Sequence, residues 1–324
     1  MTDVSSFIRS DRIRSQMFEL AMVAAILMMI VIFAVAEPQF LSLANVSNVL
    51  TQSSYLVLLA CAQAVVILVR GFDLSLGGTV SLVSLTAAMG MTMTGALPIP
   101  AGIAAGVVTG LIVGLFNGFC VAWLKINPFI VTLATMNILL AISSTITGGF
   151  PVTDLPDGFS DMLSTAAPLG VPVPVIVTAV VVFLLHLMLR RTRFGRSMFL
   201  VGSNPEAAYV AGISSRRILL WSYALCSFLI ALGAILMTAR TGSGEPNLGG
   251  ALTLQTIAAA VIGGMSLRGG EGSMAAPVLG GFFVTILSNG MNLTRVDGYL
   301  QEVTLGVLIV AVLVLDRLRH RRTS

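Results

Sequence analysis

Charge is scarce in this chain. Asp, Glu, Lys and Arg make up 10% of its 324 residues, against about 25% in an ordinary soluble domain. Too little polar surface is available to cover a water-soluble core of this size. One lysine is present, Lys125, and it follows Trp123-Leu124. A phosphate-binding loop ends in Gly-Lys-Ser/Thr after a Gly-rich turn, so no such ATPase site exists here. The two histidines, His186 and His320, have no Cys, carboxylate or Ser partner at ligand or triad spacing. That leaves no readable metal site and no nucleophile–base pair. Cys61, Cys120 and Cys226 all fall inside apolar runs and read as small apolar side chains, not as a disulfide framework. The net charge of +4 sits at the ends of apolar runs, not on one face, so it does not mark a nucleic-acid surface.

What is abundant is apolar. Hydrophobic residues reach 56%, glycine numbers 32, and mean hydropathy is +0.97. An all-α polytopic membrane protein is the class that fits, because helices satisfy their backbone groups internally in lipid. Ten apolar segments emerge, at roughly 18–36, 49–69, 76–95, 100–124, 128–146, 171–189, 218–239, 250–267, 273–292 and 299–315. The second, eighth and ninth are short or broken, so eight or nine crossings are also open. Ala34-Val35-Ala36 mimics a signal-peptidase site. The apolar run Leu20–Ala36 is long for a signal core, and Asp3, Asp11 and Glu19 precede it, so we read a retained first span.

Basic residues orient the chain. With the N-terminus inside and ten crossings, 16 of the 18 Lys and Arg fall on the inner side, and only Arg240 and Arg295 fall outside. Outer loop 148–170 has no Lys or Arg but carries Asp154, Asp157 and Asp161. The expected architecture is one membrane domain over 1–324. It has a cytoplasmic N-terminal segment 1–17, a cytoplasmic loop 190–217, a basic cytoplasmic tail 316–324 and both termini inside.

Loop 190–217 holds six of the eighteen basic residues. Within it Asn204 is a helix cap, Pro205 a first helical residue and Gly212 a terminator, which predicts a helix over Pro205–Ala211. A charged, structured inner loop reads as a docking surface for a soluble partner. Glu206 supports the helix start, and Ala207 and Ala208 permit close approach. In the fourth segment Gly102, Gly106, Gly110, Gly114 and Gly118 recur every fourth residue. That stripe winds slowly round its helix, can meet more than one neighbour, and predicts a span buried in the bundle.

Two inner turns echo one another. Arg70-Gly71-Phe72-Asp73 leads into Leu74-Ser75-Leu76-Gly77-Gly78, and Arg268-Gly269-Gly270-Glu271 leads into Gly272-Ser273-Met274. Asp73 and Glu271 suit helix N-termini, and Ser75 and Ser273 can satisfy orphan N–H groups there. Gly-interrupted segments in both halves are a device transporters use to build a pathway. Carboxylates in mid-span, the mark of many ion-coupled carriers, are missing apart from Glu302, one turn into the tenth segment. Neutral polar residues are the pathway candidates: Gln52, Ser53, Gln63, Thr132, Thr135, Asn137, Asn289 and Asn292. They suit a polyhydroxylated solute, and each also fits helix–helix hydrogen bonding.

These motifs resemble a known family, the ribose/xylose-type sugar permeases of ATP-binding-cassette importers. Gly71-Phe72-Asp73-Leu74-Ser75-Leu76-Gly77 is similar to its Gly-Ile-Asp-Leu-Ser-Val-Gly signature, with Phe72 in place of Ile. Asn127-Pro128-Phe129-Ile130-Val131-Thr132-Leu133-Ala134-Thr135 is similar to its fifth-span opening. Arg191–Arg196 and Gly202–Ala208 resemble its coupling loop, and Val261-Ile262-Gly263-Gly264 with the turn to Gly272-Ser273 its late segment. The resemblance runs from Asn45 to Leu315. It implies a cobalamin-importer-like permease fold of about ten helices and coupling to an ATPase through Asn204, Pro205, Glu206, Ala207, Ala208 and Gly212. The partners it implies are cytoplasmic ATPase subunits, a periplasmic or extracellular sugar-binding protein and a second permease copy or paralogue. ATP and Mg would sit on the ATPase, with no cofactor in this chain. The alternatives are a branched-chain amino acid permease, which the Asp-Leu-Ser signature disfavours, an ion-coupled carrier, or an integral membrane enzyme, which the lack of a catalytic cluster disfavours.

Overall fold

A computed structural model describes residues 3–93, 95 and 97–321. Side chains of 1–16 and 315–324, which carry the basic ends used in the charge count, lie outside the described residues. The chain forms α1 (Asp3–Ala36), α2 (Leu43–Leu68), α3 (Leu76–Met93), α4 (Pro98–Ala122), α5 (Pro128–Thr147) and α6 (Val173–Arg191). It continues with α7 (Arg193–Ser203), α8 (Pro205–Val210), α9 (Ser215–Thr241), α10 (Leu252–Ile262), α11 (Ala275–Leu293) and α12 (Gly298–Arg321). Among the described residues no strand forms beyond one isolated bridge, Val152 with Gly244.

Local chemistry sets the helix ends. Ser42 Oγ accepts the Asn45 N–H at 3.3 Å to open α2, and Asn127 Oδ1 accepts the Phe129 N–H at 2.9 Å to open α5. Pro98 and Pro128 sit at first helical positions. Gly148 and Gly242 close α5 and α9 in the left-handed conformation, at φ 63° and 69°.

Every one of the ten apolar segments coincides with a helix. Eight helices among the described residues are long and apolar enough to cross a membrane. The eighth segment is different: α10 has 11 residues, about 16 Å of rise, or half a hydrocarbon core. The basic loop also carries a helix the sequence reading lacked. In α7 Thr192 Oγ accepts the Gly195 N–H at 3.0 Å, and Met198 and Val201 face inward.

Helix α2 is the axis. It packs against α6, α9, α10 and α11, and every residue from Ser53 to Leu68 is buried. The glycine stripe of α4 is a packing surface that changes partner along its length. Gly102 rests on Ala87 and Met91 of α3, Gly106 touches both α3 and Ile235 of α9, and Gly110, Gly114 and Gly118 lie on α9 at Ala231, Ser227 and Leu220. Only that face is covered. Val108, Ile112, Phe116 and Phe119 are exposed, so α4 lies at the bundle's edge and is not enclosed by it. Small residues gain contact by close backbone approach, which requires one narrow face and no more.

Candidate functional site

Two stretches of non-helical backbone lie inside the bundle, on either side of the first turn of α3 in its contacts. The first, residues 69–75, follows α2. Arg70 takes a left-handed φ of 61°, and the chain then turns back into the protein. Asp73 ends fully buried beside Cys226, whose Sγ lies 3.7 Å from Asp73 Oδ2. Cys226 is 11 residues beyond Ser215, where α9 begins, about 16 Å along its axis. Asp73 is therefore held deep in the bundle and not at its surface.

Side chains replace the missing helical bonds there. Asp73 Oδ1 accepts the Ser75 N–H at 2.9 Å and the Ser75 hydroxyl at 2.5 Å. Ser75 Oγ accepts Asn117 Nδ2 of α4 at 2.9 Å, and Asn117 Oδ1 accepts the Thr135 hydroxyl of α5 at 2.8 Å. Each donor points along one chain that ends on the carboxylate. Gln63 of α2 brackets the Asp73 peptide. With the amide oriented to satisfy both groups, its nitrogen donates to the Asp73 carbonyl at 3.2 Å and its oxygen accepts the Asp73 N–H at 3.3 Å. Tyr223 of α9 donates to the Phe72 carbonyl at 3.0 Å. One connector thus ties α2, α4, α5 and α9. The buried side chains of Asp73 and Ser75 both find partners, as low-dielectric surroundings demand.

The second stretch, 242–251, runs antiparallel beside α3. The Glu245 N–H donates to Ser84 Oγ and the Gly249 N–H to Ser81 Oγ, both at 3.1 Å. The Gly77 N–H donates to Thr253 Oγ1 at 3.0 Å. At Gly77 and Gly249 the two backbones touch, and a Cβ on either glycine would overlap the other's carbonyl. Gly244 and Val152 exchange two 2.8 Å hydrogen bonds, which fasten loop 148–170 over this stretch. Phe159 of that loop is fully buried.

A cavity of about 310 Å³ lies beside the second stretch, between α2, α9, α10 and α11, at the end of the bundle away from loop 190–217. Gln52, Tyr55, Arg240, Thr241, Gln255 and Ser288 supply its polar lining. The Arg240 guanidinium sits 5.9 Å over the Tyr55 ring and donates to Asn48 Oδ1 at 2.8 Å. The Tyr55 hydroxyl is buried and completes no hydrogen bond, although Arg240 and Ser164 lie nearby. Volume, apolar walls and a few convergent polar groups are the features of a small-molecule pocket.

The pathway candidates separate on this geometry. Gln52 lines the cavity. Gln63 and Thr135 belong to the Asp73 network. Thr132 Oγ1 donates to the Pro128 carbonyl, and exposed Asn137 donates to the Leu133 carbonyl. Asn289 exchanges two 3.0 Å hydrogen bonds with Asn45. The other cavity groups, Tyr55, Arg240, Gln255 and Ser288, carry no local signal in the sequence, because four separate helices bring them together. Ser273 donates to Glu19 of α1 at 3.2 Å and makes no cap on α11.

The basic loop forms a helical hairpin. Asn204 Oδ1 accepts the N–H groups of Glu206 and Ala207, both at 3.0 Å, α8 starts at Pro205, and Gly212 turns the chain at φ 75°. Asn204, Pro205, Glu206 and Ala207 are exposed, while Ala208 is fully buried against the protein itself. Tyr209 and Val210 stand outward, 81% and 85% exposed. At the base of this hairpin the two echoed turns meet. Arg70 Nε donates to the Arg268 carbonyl at 2.9 Å, and the Gly270 N–H donates to the Leu68 carbonyl at 2.8 Å.

Residues 45–313 match the family described as "Branched-chain amino acid transport system / permease component". The chain is 37% identical over 290 residues to the ribose import permease protein of Bacillus subtilis (strain 168), covering 89% of each chain. It is 35% identical over 316 residues to the galactose/methyl galactoside import permease protein of Escherichia coli (strain K12), covering 93% of this chain and 94% of that one. It is 34% identical over 290 residues to the D-allose transport system permease protein of the same strain, covering 89% and 88%. The chain belongs to this family of permease components, as a multi-pass protein of the bacterial inner membrane.

Proposed function

We propose that this chain is the membrane-spanning subunit of an ATP-driven importer for a monosaccharide or related polyol. The observation that carries the reading is its likeness, along nearly the whole chain, to permeases named for ribose, galactose and allose import. The cavity supports it, since neutral amides, hydroxyls and one guanidinium suit a polyhydroxylated solute. We place the solute path beside that cavity and the adjoining stretch 242–251. The family description names branched-chain amino acids, but the relatives along nearly the whole chain are named for sugars, which favours the sugar reading over the amino acid alternative.

The energy source is a separate chain. The sequence holds no Gly-Lys-Ser/Thr loop, so ATP and Mg belong to a cytoplasmic ATPase partner. Loop 190–217 and both termini are then cytoplasmic, and the cavity end faces outward, where a sugar-binding protein docks. The hairpin offers Ala207, Tyr209 and Val210 to the ATPase, while Ala208 holds the hairpin to the permease. The exposed apolar face of α5, with Phe129, Ile130, Leu133 and Ile138, suits a second permease copy.

Two measurements test this. Uptake of radiolabelled ribose, galactose, allose and leucine is compared in cells with and without the gene. Gene-dependent uptake of at least one sugar is expected, and gene-dependent uptake of leucine alone overturns the sugar reading. Ala207→Arg places a bulky charge on the exposed face of α8 without entering the fold. Sugar uptake should fall tenfold or more with the protein still inserted. Wild-type uptake with the ATPase bound would sink the docking assignment.

A further inference from the structure

We propose that Arg70 is the positioning residue that makes the α7–α8 hairpin, α2 and the α10–α11 turn move as one body, so that displacement of α8 reaches the solute path. This rests on the importer reading above. The guanidinium bridges two segments far apart in sequence. Its Nε donates to the Arg268 carbonyl at 2.9 Å, and its Nη2 donates to the Ser203 carbonyl at 2.6 Å. Ser203 is the last residue of α7 and directly precedes the Asn204 cap of α8. Arg268 lies in the turn that leads to α11.

Backbone packing closes the junction around it. The Gly270 N–H donates to the Leu68 carbonyl at the end of α2. A Cβ on Gly202 would overlap Leu68 and Gly270, and a Cβ on Gly270 would overlap Ser203. Three segments therefore touch with no side chain between them, and the Arg70 side chain reaches across two of them.

The backbone at Arg70 strengthens the case. Its φ of 61° is a conformation glycine adopts at less cost than any other residue. An arginine there bears a steric cost, its Cβ crowding the following carbonyl, that glycine would avoid, and its two carbonyl contacts are what it gains. Both anchored elements run from the junction to the cavity. Tyr55 of α2 and Ser288 of α11 line the same space.

Arg70→Gly relaxes the backbone while removing the guanidinium together with its aliphatic stem, so complex assembly is measured beside transport. The wild-type and variant complexes, each with ATPase and binding protein, are reconstituted in vesicles. Labelled ribose, galactose and allose uptake is measured against phosphate release. The expected result is ATP hydrolysis within twofold of wild type and a tenfold or greater fall in sugar transported per ATP. An unchanged ratio overturns the proposal. A fall in the amount of assembled complex with the ratio unchanged also overturns it, since that is a purely structural role. If Arg70→Gly fails to assemble, Arg70→Lys decides. An ammonium on a shorter reach serves one carbonyl well but not both, and the ratio should fall severalfold. A ratio equal to wild type there overturns the proposal. If the wild-type complex itself moves none of the three sugars, the importer reading fails and not the assignment of Arg70.

Discussion

The two breaks in helical backbone are built in opposite ways. Connector 69–75 is closed. Gln63, Ser75, Asn117, Thr135 and Tyr223 surround it, and the Asp73 peptide, the Phe72 carbonyl and the Asp73 carboxylate all have partners. Stretch 242–251 is fastened to α3 at Ser81 and Ser84 and to loop 148–170 at Val152, and the residues at its two ends, Thr241 and Leu252, line a cavity. One break is sealed by side chains of four helices. The other leaves room and an unpaired hydroxyl. A bundle that must move a solute needs both a fixed reference and a part with space beside it. We assign the first role to the Asp73 connector and the second to 242–251.

The largest effect should come where stretch 242–251 touches the first turn of α3, just beyond the connector. Gly249→Ala puts a Cβ into the Gly77 carbonyl, and neither backbone can retreat without breaking its hydrogen bonds to Ser81 or Thr253. Overpacking of this kind costs about 1–3 kcal/mol or more. Folded protein recovered in detergent should fall sharply. Gly250→Ala is the control, since its Cβ meets only the movable Asn247 side chain. Equal yields of the two variants would show that the contact of stretch 242–251 with the first turn of α3 carries no weight.

Asp73 gives the next effect and divides charge from shape. Asp73→Leu removes the acceptor of the Ser75 N–H and hydroxyl, at about 1–3 kcal/mol for each buried donor left unpaired. Thermal stability and the amount of assembled complex should drop. Asp73→Asn keeps an oxygen for both donors, so assembly and uptake should stay near wild type. Lost uptake in the Asn variant, with assembly normal, would mean that the negative charge itself works in transport and that the connector is not merely a fixed reference.

These two regions also differ in how plainly the sequence announces them. Helix ends follow from residues one to three positions apart, so Asn204-Pro205 and Gly212 mark α8, and Asn127-Pro128 marks the start of α5. The glycine stripe carries its own drift, which is why its passage from α3 to α9 is readable from spacing. The echo of Arg70-Gly71 in Arg268-Gly269 shows that the turns are alike but not that they touch. The Asp73 network joins residues 63, 75, 117, 135 and 223, and no local pattern encodes their meeting. Asp73 therefore reads as a surface cap until the fold shows it enclosed. The same limit hides the cavity, since its polar groups are single residues on four helices. Helix α7 had a readable cap in Thr192, masked by the basic residues around it.

The smallest effect on the folded state should come from Tyr55, and it tests the open half of the comparison. Its hydroxyl is buried without completing a hydrogen bond, while the ring packs beneath Arg240. Tyr55→Phe keeps the ring and deletes the unpaired group. Removing a desolvated polar atom with no partner is neutral or stabilising, by up to about 1 kcal/mol. Thermal stability should therefore hold or rise slightly, the reverse of Asp73→Leu. Uptake should respond differently if a solute hydroxyl is the missing partner. Loss of one hydrogen bond, about 1 kcal/mol, raises the half-saturating sugar concentration roughly fivefold with the maximal rate kept. Stability lost to the same degree as in Asp73→Leu would mean that the hydroxyl is already paired within the fold. The cavity would then be as closed as the connector, and the division between the two breaks would fail.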